Sequence, residues 1–594
     1  MTKEKTGYPS IDKTHLRDTK FLERHPIIPT FLTFSQLLDL MFAIQGEHYV
    51  LDCLDLRVTS KEFQKDSLTL AKTLLELGVK KDDIVSVAMP NYYHGVPVFK
   101  ATNMIGAITT YLNPNAEMDE IVSFLNMYNS EVFINFDKSQ EYNNEIKRRT
   151  KVKHVITLDS KLINSRDYRR PIDFSVGNKD DFDFHQLGHI ADQHKGNFKV
   201  SHGGKQDALI LYTSGSTGKS KSLLFTNENL IASCIYLKNS THLPNPSDGD
   251  RRWMSVVPFM YPYGFGAGVL QTMLAGREVI LTPNLSASNV GEFYKKKPDV
   301  ILGSPAHLEL TKRNLDEDIR LDNLSTYVSG GDYLSVSQSK DAIEFFRKHG
   351  ADVAMCNSSG TGETLGCSTN AMMVPYRPET VGQLVLGPDY VILDPETMEE
   401  VKYGETGVLC TTGKHVFKGY YGRDDLTDEI MITYKGKKYY MTGNIGYLDE
   451  NRYFTLVGRA SRFFIVNTLN KVYCELIQNV LASIDVVDSC AIVPKPHDER
   501  LYCSKAYVVL KPGVEPCKEV EEYIIEKCHE TFNINGEIVS LKDYEIPTSI
   551  TFLDILPRTE MAEKIDYELM KQMAQEEYDR EKNGGELILK HTIK

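Results

Sequence analysis

The chain has 594 residues, of which 41% are hydrophobic and 25% are charged, and its formal net charge is -13 at pH 7. Its length exceeds what one hydrophobic core usually supports, so at least two domains are expected. The acidic charge argues against a nucleic-acid partner, and no uncharged apolar run reaches the ~18 residues of a transmembrane segment. Because the N-terminus lacks an apolar targeting segment and the ten cysteines are scattered, we expect a cytoplasmic protein with reduced, mostly buried thiols.

Helix and strand patterns alternate along the first part of the chain. A helix over SLTLAKTLLELGVK ends at Gly78, and the strand DIVSVAMPN ends at Pro90. The helix YYHGVPVFKATNMIGA, the strand ITTYL, the helix AEMDEIVSFLNMYNS and the strand EVFINF follow. This alternation predicts an α/β fold with mostly parallel sheets. Residues 161–204 are polar and irregular, which predicts a surface insertion.

The stretch YTSGSTGKSKS, from Tyr212 to Ser222, has a composition that suits a phosphate ligand. It is not a P-loop, because Thr213 occupies the place of the first glycine. The apolar runs ALILYTS and KSLLFT predict a loop between two strands, with a helix starting only after Thr226 as its N-cap. Backbone, hydroxyl and ammonium groups can bind phosphate, and the candidates are Thr213, Ser214, Gly215, Ser216, Thr217, Gly218, Lys219 and Lys221. The alternative interpretation is a flexible Gly/Ser turn.

Other motifs follow this loop in a fixed order. They are VSGGDYL with Gly330 and Gly331, NSSGTGET from Asn357 to Thr364, YYMTGNIGYLDENRYFTLVGR, and LPRTEMAEKIDYEL near the end. Together they resemble the adenylate-forming superfamily of acyl-CoA synthetases, firefly luciferase and the adenylation domains of nonribosomal peptide synthetases. The resemblance extends over nearly the whole chain.

The resemblance implies a two-domain architecture. Residues 1–458 would form a large N-terminal AMP-binding domain of mostly parallel sheets flanked by helices, together with a distorted barrel. Residues 459–594 would form a small, mobile α+β C-terminal domain that carries a terminal catalytic lysine. The change of sequence character near Gly458 predicts the same boundary. Toward the chain end, a helix is predicted around Tyr567 to Arg580, followed by a stop signal at Gly584-Gly585 and an unassigned tail of nine residues.

The resemblance also assigns roles in an ATP site. Residues 213–221 would be the phosphate loop, with Thr213 also in a catalytic role and with Ser220 and Ser222 where proline and glycine are usual. Asn357 would bind adenine, and Glu363 would bind Mg²⁺ as a hard carboxylate ligand. The alternative for Glu363 is an ordinary surface carboxylate. Gly330, Gly331 and Gly360 complete the nucleotide-binding set.

Several positions depart from the family pattern. Ser359 replaces the tyrosine that stacks on adenine, and Gly362 replaces a threonine. Asn444 replaces the aspartate that holds both ribose hydroxyls, and an amide offers only one acceptor and one donor. Arg459 would reach the ribose and the phosphate.

The C-terminal motifs depart as well. Ser461 occupies the hinge position, and Thr468 replaces a glycine that lines the thiol tunnel. The terminal motif is one residue longer than usual and lacks its glycine, and Lys564 would be its catalytic lysine. The alternative for Lys564 is an ordinary exposed lysine.

The segment VVPFMYPYGFGAG bears on the acid that is activated. No carboxylate follows Phe259, and Tyr261 replaces the usual histidine, so a pocket of Phe259, Tyr261 and Gly264 suits an apolar acyl chain. These aromatics are equally well explained as core. We therefore expect an ATP- and Mg²⁺-dependent acyl-CoA synthetase for a fatty or aromatic acid, with coenzyme A as co-substrate. A ligase that delivers to a carrier protein and a nucleotide-binding protein with little turnover are the alternatives.

Overall fold

The structure is a computed structural model of the chain. It describes residues 6–12, 26–167, 181–196, 203–213, 221–240, 252–283, 285–332, 334, 336–370, 377, 380–459, 463–466, 470–498, 501–534, 537–559, 564–582 and 590–591. Within these ranges, no helix combines the length and the hydrophobicity needed to cross a bilayer.

The α-helices of this part of the chain are α1 (Pro9–Asp12), α2 (Phe34–Gln45), α3 (Ser60–Glu76), α4 (Gly95–Ile105), α5 (Met118–Tyr128), α6 (Gln140–Arg149), α7 (Leu187–Ala191), α8 (Asn227–Ser240), α9 (Thr272–Leu274), α10 (Val290–Tyr294), α11 (Pro305–Asn314), α12 (Val336–Lys348), α13 (Asp424–Glu429), α14 (Cys474–Ala482), α15 (Lys518–Lys527) and α16 (Tyr567–Lys582). Shorter 3₁₀ turns cover Ser160–Leu162, Phe184–Gln186 and Gly362–Thr364, and a wide π-helical segment covers Pro262–Gln271.

The strands of the described residues are β1 (Tyr49–Cys53), β2 (Leu56–Thr59), β3 (Ile84–Ala88), β4 (Ile108–Tyr111), β5 (Val132–Phe136), β6 (His154–Leu158), β7 (Asp181–Asp183), β8 (Asp207–Tyr212), β9 (Ser222–Thr226), β10 (Arg252–Ser255), β11 (Glu278–Leu281), β12 (Val300–Gly303), β13 (Thr326–Ser329), β14 (Ala354–Asn357), β15 (Thr369–Asn370), β16 (Gln383–Leu384), β17 (Asp389–Leu393), β18 (Gly407–Thr412), β19 (Gly419–Tyr420), β20 (Met431–Tyr434), β21 (Lys437–Leu448), β22 (Phe454–Arg459), β23 (Phe463–Val466), β24 (Asn470–Tyr473), β25 (Val487–His497), β26 (Leu501–Leu510), β27 (Thr531–Ile534), β28 (Glu537–Ser540), β29 (Ser549–Leu553) and β30 (Lys590–His591).

Two large sheets form the N-terminal part of the fold. One has seven strands in the order β14-β13-β12-β10-β11-β1-β2, parallel except for the β1–β2 pair. The other has eight strands in the order β19-β9-β8-β4-β3-β5-β6-β7, parallel from β8 to β7 and antiparallel from β8 to β19. One apolar cluster joins residues of both sheets and of the helices that pack on them.

Local signals explain why the helices start where they do, and α3 is an example. The hydroxyl of Thr59 accepts from the backbone N–H of Glu62, and the Glu62 carboxylate accepts from the N–H of Thr59, which is a capping box. Phe63, Leu70 and Leu74 lie on one buried face of the same helix. The helix therefore begins at its cap, and it packs mainly against α4 and α7.

Smaller sheets complete the fold. The region expected as a distorted barrel contains an antiparallel sheet of five strands, β17-β18-β21-β20 with β22 on β21. The C-terminal part contains a mixed sheet, β25-β26-β29-β30, and the hairpins β23–β24 and β27–β28, with a core cluster of their own from Phe464 to Phe552. The α/β architecture predicted from the sequence is confirmed. The domain boundary at residue 458 stays a prediction.

The elements predicted before and around the Gly/Ser/Thr loop are confirmed. The six predicted segments fall on α3, β3, α4, β4, α5 and β5. The loop joins β8 to β9, which pair antiparallel, and α8 begins at Asn227. Thr226 caps this helix, because its Oγ1 accepts from the N–H of Asn229 at 3.3 Å. The cysteines are free thiols, and all except the half-buried Cys517 are buried.

The expected surface insertion over residues 161–204 is wrong in its middle. There β7 adds a strand to the edge of the eight-stranded sheet, and Phe184 and Leu187 are fully buried. The Thr73 hydroxyl donates to the Leu187 carbonyl at 2.8 Å. A few apolar residues among many polar ones are enough to fix a short edge strand and one helical turn, and the average polarity conceals them.

The chain end also differs from its prediction as an unassigned tail. Lys590 and His591 form β30, which pairs in parallel with Phe552 and Leu553 of β29. The preceding helix α16 matches the predicted one. The predicted stop signal at residues 584–585 lies outside the described residues.

Candidate active site

Backbone and hydroxyl contacts define the stem of the expected phosphate loop. Tyr212 and Ser222 are cross-strand partners at the end of β8 and the start of β9. Just beyond them, the N–H of Thr213 donates to the Lys221 carbonyl at 3.1 Å, and the N–H of Lys221 donates to Thr213 Oγ1 at 3.3 Å. The candidates between them, residues 214–220, lie outside the described residues.

A buried chain of hydroxyls ties the two stem strands to helix α5. The Tyr128 hydroxyl lies 2.7 Å from the Tyr212 hydroxyl and 2.7 Å from Ser222 Oγ, and Thr110 Oγ1 lies 3.2 Å from the Tyr212 hydroxyl. Burial raises the pKa of Tyr212 well above its ordinary value, so these groups are neutral. The network gives a physical reason for a serine at position 222, where the family has glycine.

The next two loops leave the carboxyl ends of neighbouring parallel strands. Ser329 of β13 pairs with Asn357 of β14. Gly330 directly follows Ser329, and Asn357 begins the Asn357–Thr364 loop. The N–H of Gly330 donates to the Gly303 carbonyl at 3.0 Å, and the amide of Asn357 donates to the Leu334 carbonyl at 3.3 Å. The carboxyl edge of a parallel sheet is the usual ligand-binding edge. Both motifs therefore lie at one edge of the seven-stranded sheet.

Glu363 is held by two tyrosines. Glu363 is only 9% exposed. Its Oε1 accepts from the Tyr420 hydroxyl at 2.6 Å, and its Oε2 accepts from the Tyr440 hydroxyl at 2.9 Å. Burial, and secondarily Glu363, raise the pKa of Tyr440 well above its ordinary value, so the hydroxyl remains a donor. The Lys221 ammonium lies 5.0 Å from the Tyr420 ring centroid. This carboxylate is thus fixed in orientation beside the stem of the phosphate loop.

The surroundings of Glu363 bear on the expected Mg²⁺. Among the described residues, no group of three or more His, Cys, Asp or Glu side chains could hold a metal by itself. A carboxylate has about four acceptor positions, so the tyrosines leave Glu363 able to take a cation as well. Mg²⁺ commonly binds through one or two carboxylates plus substrate phosphates and water. Glu363 therefore fits a cation that arrives with a nucleotide.

Asn444 and Ser359 contact each other in the interior. Asn444 is fully buried in β21, and its Nδ2 donates to Ser359 Oγ at 3.3 Å. Its N–H donates to Thr442 Oγ1 at 3.1 Å, and no described residue donates to its Oδ1. Arg459 is its exposed cross-strand partner on β22. The sequence singled out Asn444, Ser359 and Arg459 separately, and the fold brings them together.

Lys564 reaches the same edge from the C-terminal part. Its Cε lies 3.9 Å from the position that a Cβ on Gly331 would occupy, and the N–H of Ile565 donates to Asp332 Oδ2 at 3.5 Å. Burial, and secondarily Arg459, lower the pKa of Lys564 to about 8, although Asp332 opposes the change. Gly331 has a φ of +84°, which favours glycine. Ser461, Thr468 and residues 560–563 lie outside the described residues.

Asp332, Tyr420 and Tyr440 are site residues that sequence reasoning did not select. Asp332 could have been found from its place directly after Gly331. The two tyrosines carry no comparable signal, because tyrosine in a β-strand is common and its partner is distant in the chain.

The three candidates for the acyl pocket have different surroundings. Phe259 belongs to the aromatic core, with its ring centroid 5.8 Å from that of Tyr111 and 5.4 Å from that of Phe265. Gly264 is required by the backbone, since a Cβ there would lie 2.1 Å from the Pro258 carbonyl oxygen. Tyr261 is buried, and its hydroxyl has no hydrogen-bond partner among the described residues. Tyr261 is thus the candidate with a polar group still to be satisfied.

A second tyrosine of this segment lies against the glycine pair. The hydroxyl of Tyr263 donates to the Val328 carbonyl at 3.0 Å, and its ring approaches to 3.1 Å from where a Cβ on Gly330 would lie. A side chain at position 330 would therefore press against this ring, which would have to shift by a few tenths of an ångström. This contact joins the aromatic segment to the edge of the seven-stranded sheet that Lys564 approaches.

Comparison with known families gives two matches along the chain. The family described as AMP-binding enzyme matches residues 43–421, and the one described as AMP-binding enzyme C-terminal domain matches residues 476–562.

Similar proteins of known name extend over much of the chain. "Probable 4-coumarate--CoA ligase 1" of Dictyostelium discoideum is 26% identical over 80% of this chain and 85% of the relative. "Peroxisomal OPC-8:0-CoA ligase 1" of Arabidopsis thaliana is 25% identical over 77% and 80%, respectively. A "D-alanine--D-alanyl carrier protein ligase" of Listeria monocytogenes is 27% identical over 50% and 59%.

Solved structures share the fold. The anthranilate CoA ligase AuaEII in complex with anthranoyl-AMP superposes with a TM-score of 0.77 at 19% identity, covering 93% of this chain and 99% of that one. The o-succinylbenzoate coenzyme A synthetase MenE of Bacillus subtilis, in complex with ATP and magnesium, gives a TM-score of 0.68 at 19% identity over 90% and 99%. At this identity the likeness concerns the fold.

Proposed function

Because the chain belongs to the family of AMP-binding enzymes, we propose that it is an acid–thiol ligase that activates a carboxylic acid with ATP and transfers the acyl group to coenzyme A. In the first step a carboxylate oxygen attacks the α-phosphorus, the bond to the bridging oxygen breaks, and pyrophosphate leaves. In the second step the thiolate attacks the acyl carbonyl and AMP leaves.

The observation that carries this proposal is the meeting of Lys564 with the edge of the seven-stranded sheet. Its side chain lies over Gly331, although the two positions are far apart in the chain. A lysine whose pKa is lowered by burial and by a neighbouring cation is a common feature of functional sites. Its ammonium would lie between the incoming carboxylate and the α-phosphate and would offset their repulsion.

The nucleotide phosphates would bind at the Thr213–Lys221 stem. Thr213 and Lys221 are joined by two hydrogen bonds, so the hydroxyl-rich sequence between them starts and ends at a fixed place. Glu363, oriented by its two tyrosines, would hold Mg²⁺ together with the phosphates. The cation would neutralise charge on the leaving pyrophosphate.

The adenosine would lie between the Asn357 loop and β21. Asn357 would contact the base, with Ser359 and Gly360 beside it. Asn444 and Arg459, which are paired across β21 and β22, would contact the ribose. This assignment gives the unpaired Oδ1 of the buried Asn444 a hydrogen-bond donor.

An apolar acid suits the aromatic segment best. Residues from Phe259 to Gly264 include no carboxylate to pair with a substrate ammonium, and burying an unpaired ammonium is costly. Asp332 follows the glycine pair, but it contacts the Lys564 segment. Tyr261, with its unsatisfied hydroxyl, would lie at the pocket wall, so the proposed substrate class is fatty or aromatic acids.

A carrier protein is the second candidate acceptor. The observation that favours it is the similarity to a ligase named for a D-alanyl carrier protein, together with threonine at position 468. In that case the thiol would belong to a carrier-bound prosthetic arm. The first half-reaction would be unchanged.

The test is acid-dependent ATP–pyrophosphate exchange with purified protein and Mg²⁺ over short, medium and long fatty acids and aromatic acids, with amino acids as a contrasting group. Exchange with apolar acids, followed by thioester formation with coenzyme A, is the expected result. If exchange occurs but the thioester forms only on a carrier protein, the acceptor is the carrier protein and not coenzyme A. Absence of exchange with every acid would contradict the proposal.

A further inference from the structure

Two positions at which this chain departs from the residues usual in its family form one hydrogen-bonded unit. Ser359 lies in the loop after β14, and Asn444 lies in β21, 85 residues further along the chain. The residues are 9% and 0% exposed, respectively, and Asn444 Nδ2 donates to Ser359 Oγ at 3.3 Å. A tyrosine at 359 would carry its hydroxyl beyond a ring and could not make this short contact. The hydrogen bond therefore links the two departures from the family pattern.

Ser359 is itself held by its backbone. Its N–H donates to Thr369 Oγ1 at 2.9 Å, and its carbonyl accepts from the backbone N–H of Thr369 at 2.9 Å. This two-point contact fixes the backbone that carries the Ser359 side chain. The Ser359 hydroxyl is thereby held within hydrogen-bond distance of Asn444 Nδ2.

The acceptor atom of the Asn444 amide, Oδ1, has no hydrogen-bond donor among the described residues. This atom is buried. An unsatisfied buried acceptor is unfavourable, and a ligand hydroxyl that donates to it removes the penalty. An amide has a single acceptor atom, whereas the carboxylate usual at this position accepts through two.

In a step that rests on the proposed function, we infer that Ser359 is a positioning residue, because its hydroxyl accepts the hydrogen bond from Asn444 Nδ2. Only Oδ1 of Asn444 then contacts the sugar. The pair therefore recognises one of the two ribose hydroxyls. The other hydroxyl has no partner in this pair. The enzyme therefore tolerates loss of one ribose hydroxyl better than loss of the other.

The experiment compares ATP with 2′-deoxy-ATP and 3′-deoxy-ATP. Dissociation constants are measured by titration calorimetry without acid, and kcat/KM is measured in pyrophosphate exchange. In the wild-type protein, one analogue should bind on the order of tenfold more weakly than ATP, because it leaves the buried Oδ1 unpaired. The second analogue should lose clearly less.

Two variants should remove this asymmetry. Asn444→Asp supplies two acceptors, and Ser359→Ala frees Nδ2 to donate to the second hydroxyl. In both, each deoxy analogue should bind on the order of tenfold more weakly than ATP of the same variant. Asn451→Asp is the matched control, because Asn451 is exposed in a turn and should leave both ratios at the wild-type values.

The ratios compare nucleotides on one protein, so a partly unfolded preparation does not alter them. If Asn444→Asp fails to fold, Ser359→Ala decides. Equal losses for both analogues in the wild type, or unchanged ratios in the folded variants, overturn the inference. Asymmetric nucleotide binding without any acid-dependent exchange would support the inference and contradict the proposed function, so the two failures are distinguishable.

Discussion

Replacing Lys564 by methionine removes the ammonium and keeps an unbranched side chain that can fill the same space. We expect the variant to lose acyl-adenylate formation while its folded state remains at least as stable as the wild type. The reason is that burial and Arg459 disfavour the charged form of the lysine in the native protein more than Asp332 favours it, whereas an anionic substrate would favour the charged form.

The magnitudes follow from the pKa and from Coulomb's law. The pKa of Lys564 falls from 10.5 to about 8, which corresponds to about 3 kcal/mol against the charged form at neutral pH. The free energy of unfolding of Lys564→Met should thus be unchanged or increased by up to about 3 kcal/mol. Two anions ~4 Å apart repel by about 4 kcal/mol at an effective dielectric constant near 20, so adenylation should fall on the order of a thousandfold.

Pyrophosphate exchange measures the first half-reaction, and conversion of a supplied acyl-adenylate to the coenzyme A thioester measures the second. Only the first should be lost. Lys571→Met is the matched control, because Lys571 pairs with Glu568 on α16 and should exchange normally. Normal exchange by Lys564→Met together with failure of Lys571→Met would show that another lysine is catalytic. Loss of both half-reactions with lower stability would show a structural role.

Three further predictions concern the same site. In pyrophosphate exchange, kcat/KM for the acid should fall as pH rises through about 8, because Lys564 is protonated below this pKa and neutral above it. Asp332→Asn removes the anion that opposes this lowering, so the alkaline limb should move to lower pH, whereas Asp332→Glu should retain it. Tyr440→Phe removes the donor to Glu363 Oε2 and should raise the Mg²⁺ concentration for half-maximal exchange about fivefold, since such a bond contributes about 1 kcal/mol.

Each of these has a contrary outcome. A profile that stays flat well above pH 8 would remove Lys564 as the titrating group. An unchanged limb in Asp332→Asn would mean that its carboxylate does not act on the lysine. If Tyr440→Phe weakens ATP binding in the presence of a chelator as much as it raises the Mg²⁺ requirement, the tyrosine supports the pocket generally and not the metal ligand.

Local sequence signals were sufficient for much of the fold. The apolar runs on both sides of the Gly/Ser/Thr loop predicted a loop between strands, and the Thr226 cap predicted the start of α8, because each of these features involves neighbours in the chain. The family motifs indicated which loops to examine. The short edge strand β7 was missed, since its three residues, Asp-Phe-Asp, are too few for their alternation of polar and apolar positions to indicate a strand.

The connections within the site could not be predicted, because they join distant positions. Tyr440 and Glu363 are 77 residues apart, and Ile565 and Asp332 are 233 apart. The sequence likewise presented Ser359 and Asn444 as two independent departures from the family pattern. Only the packing of the β14 loop against β21 shows that the two side chains are hydrogen-bonded to each other.

Attack by a carboxylate oxygen on the α-phosphorus can be tested directly with isotope labelling. The experiment uses an accepted acid whose carboxylate carries a heavy oxygen isotope. After turnover with ATP, Mg²⁺ and coenzyme A, the AMP is isolated and its mass is measured. The isolated AMP should carry one labelled oxygen, and pyrophosphate should carry none. Label in pyrophosphate or inorganic phosphate, or thioester formation with unlabelled AMP, would contradict attack on the α-phosphorus.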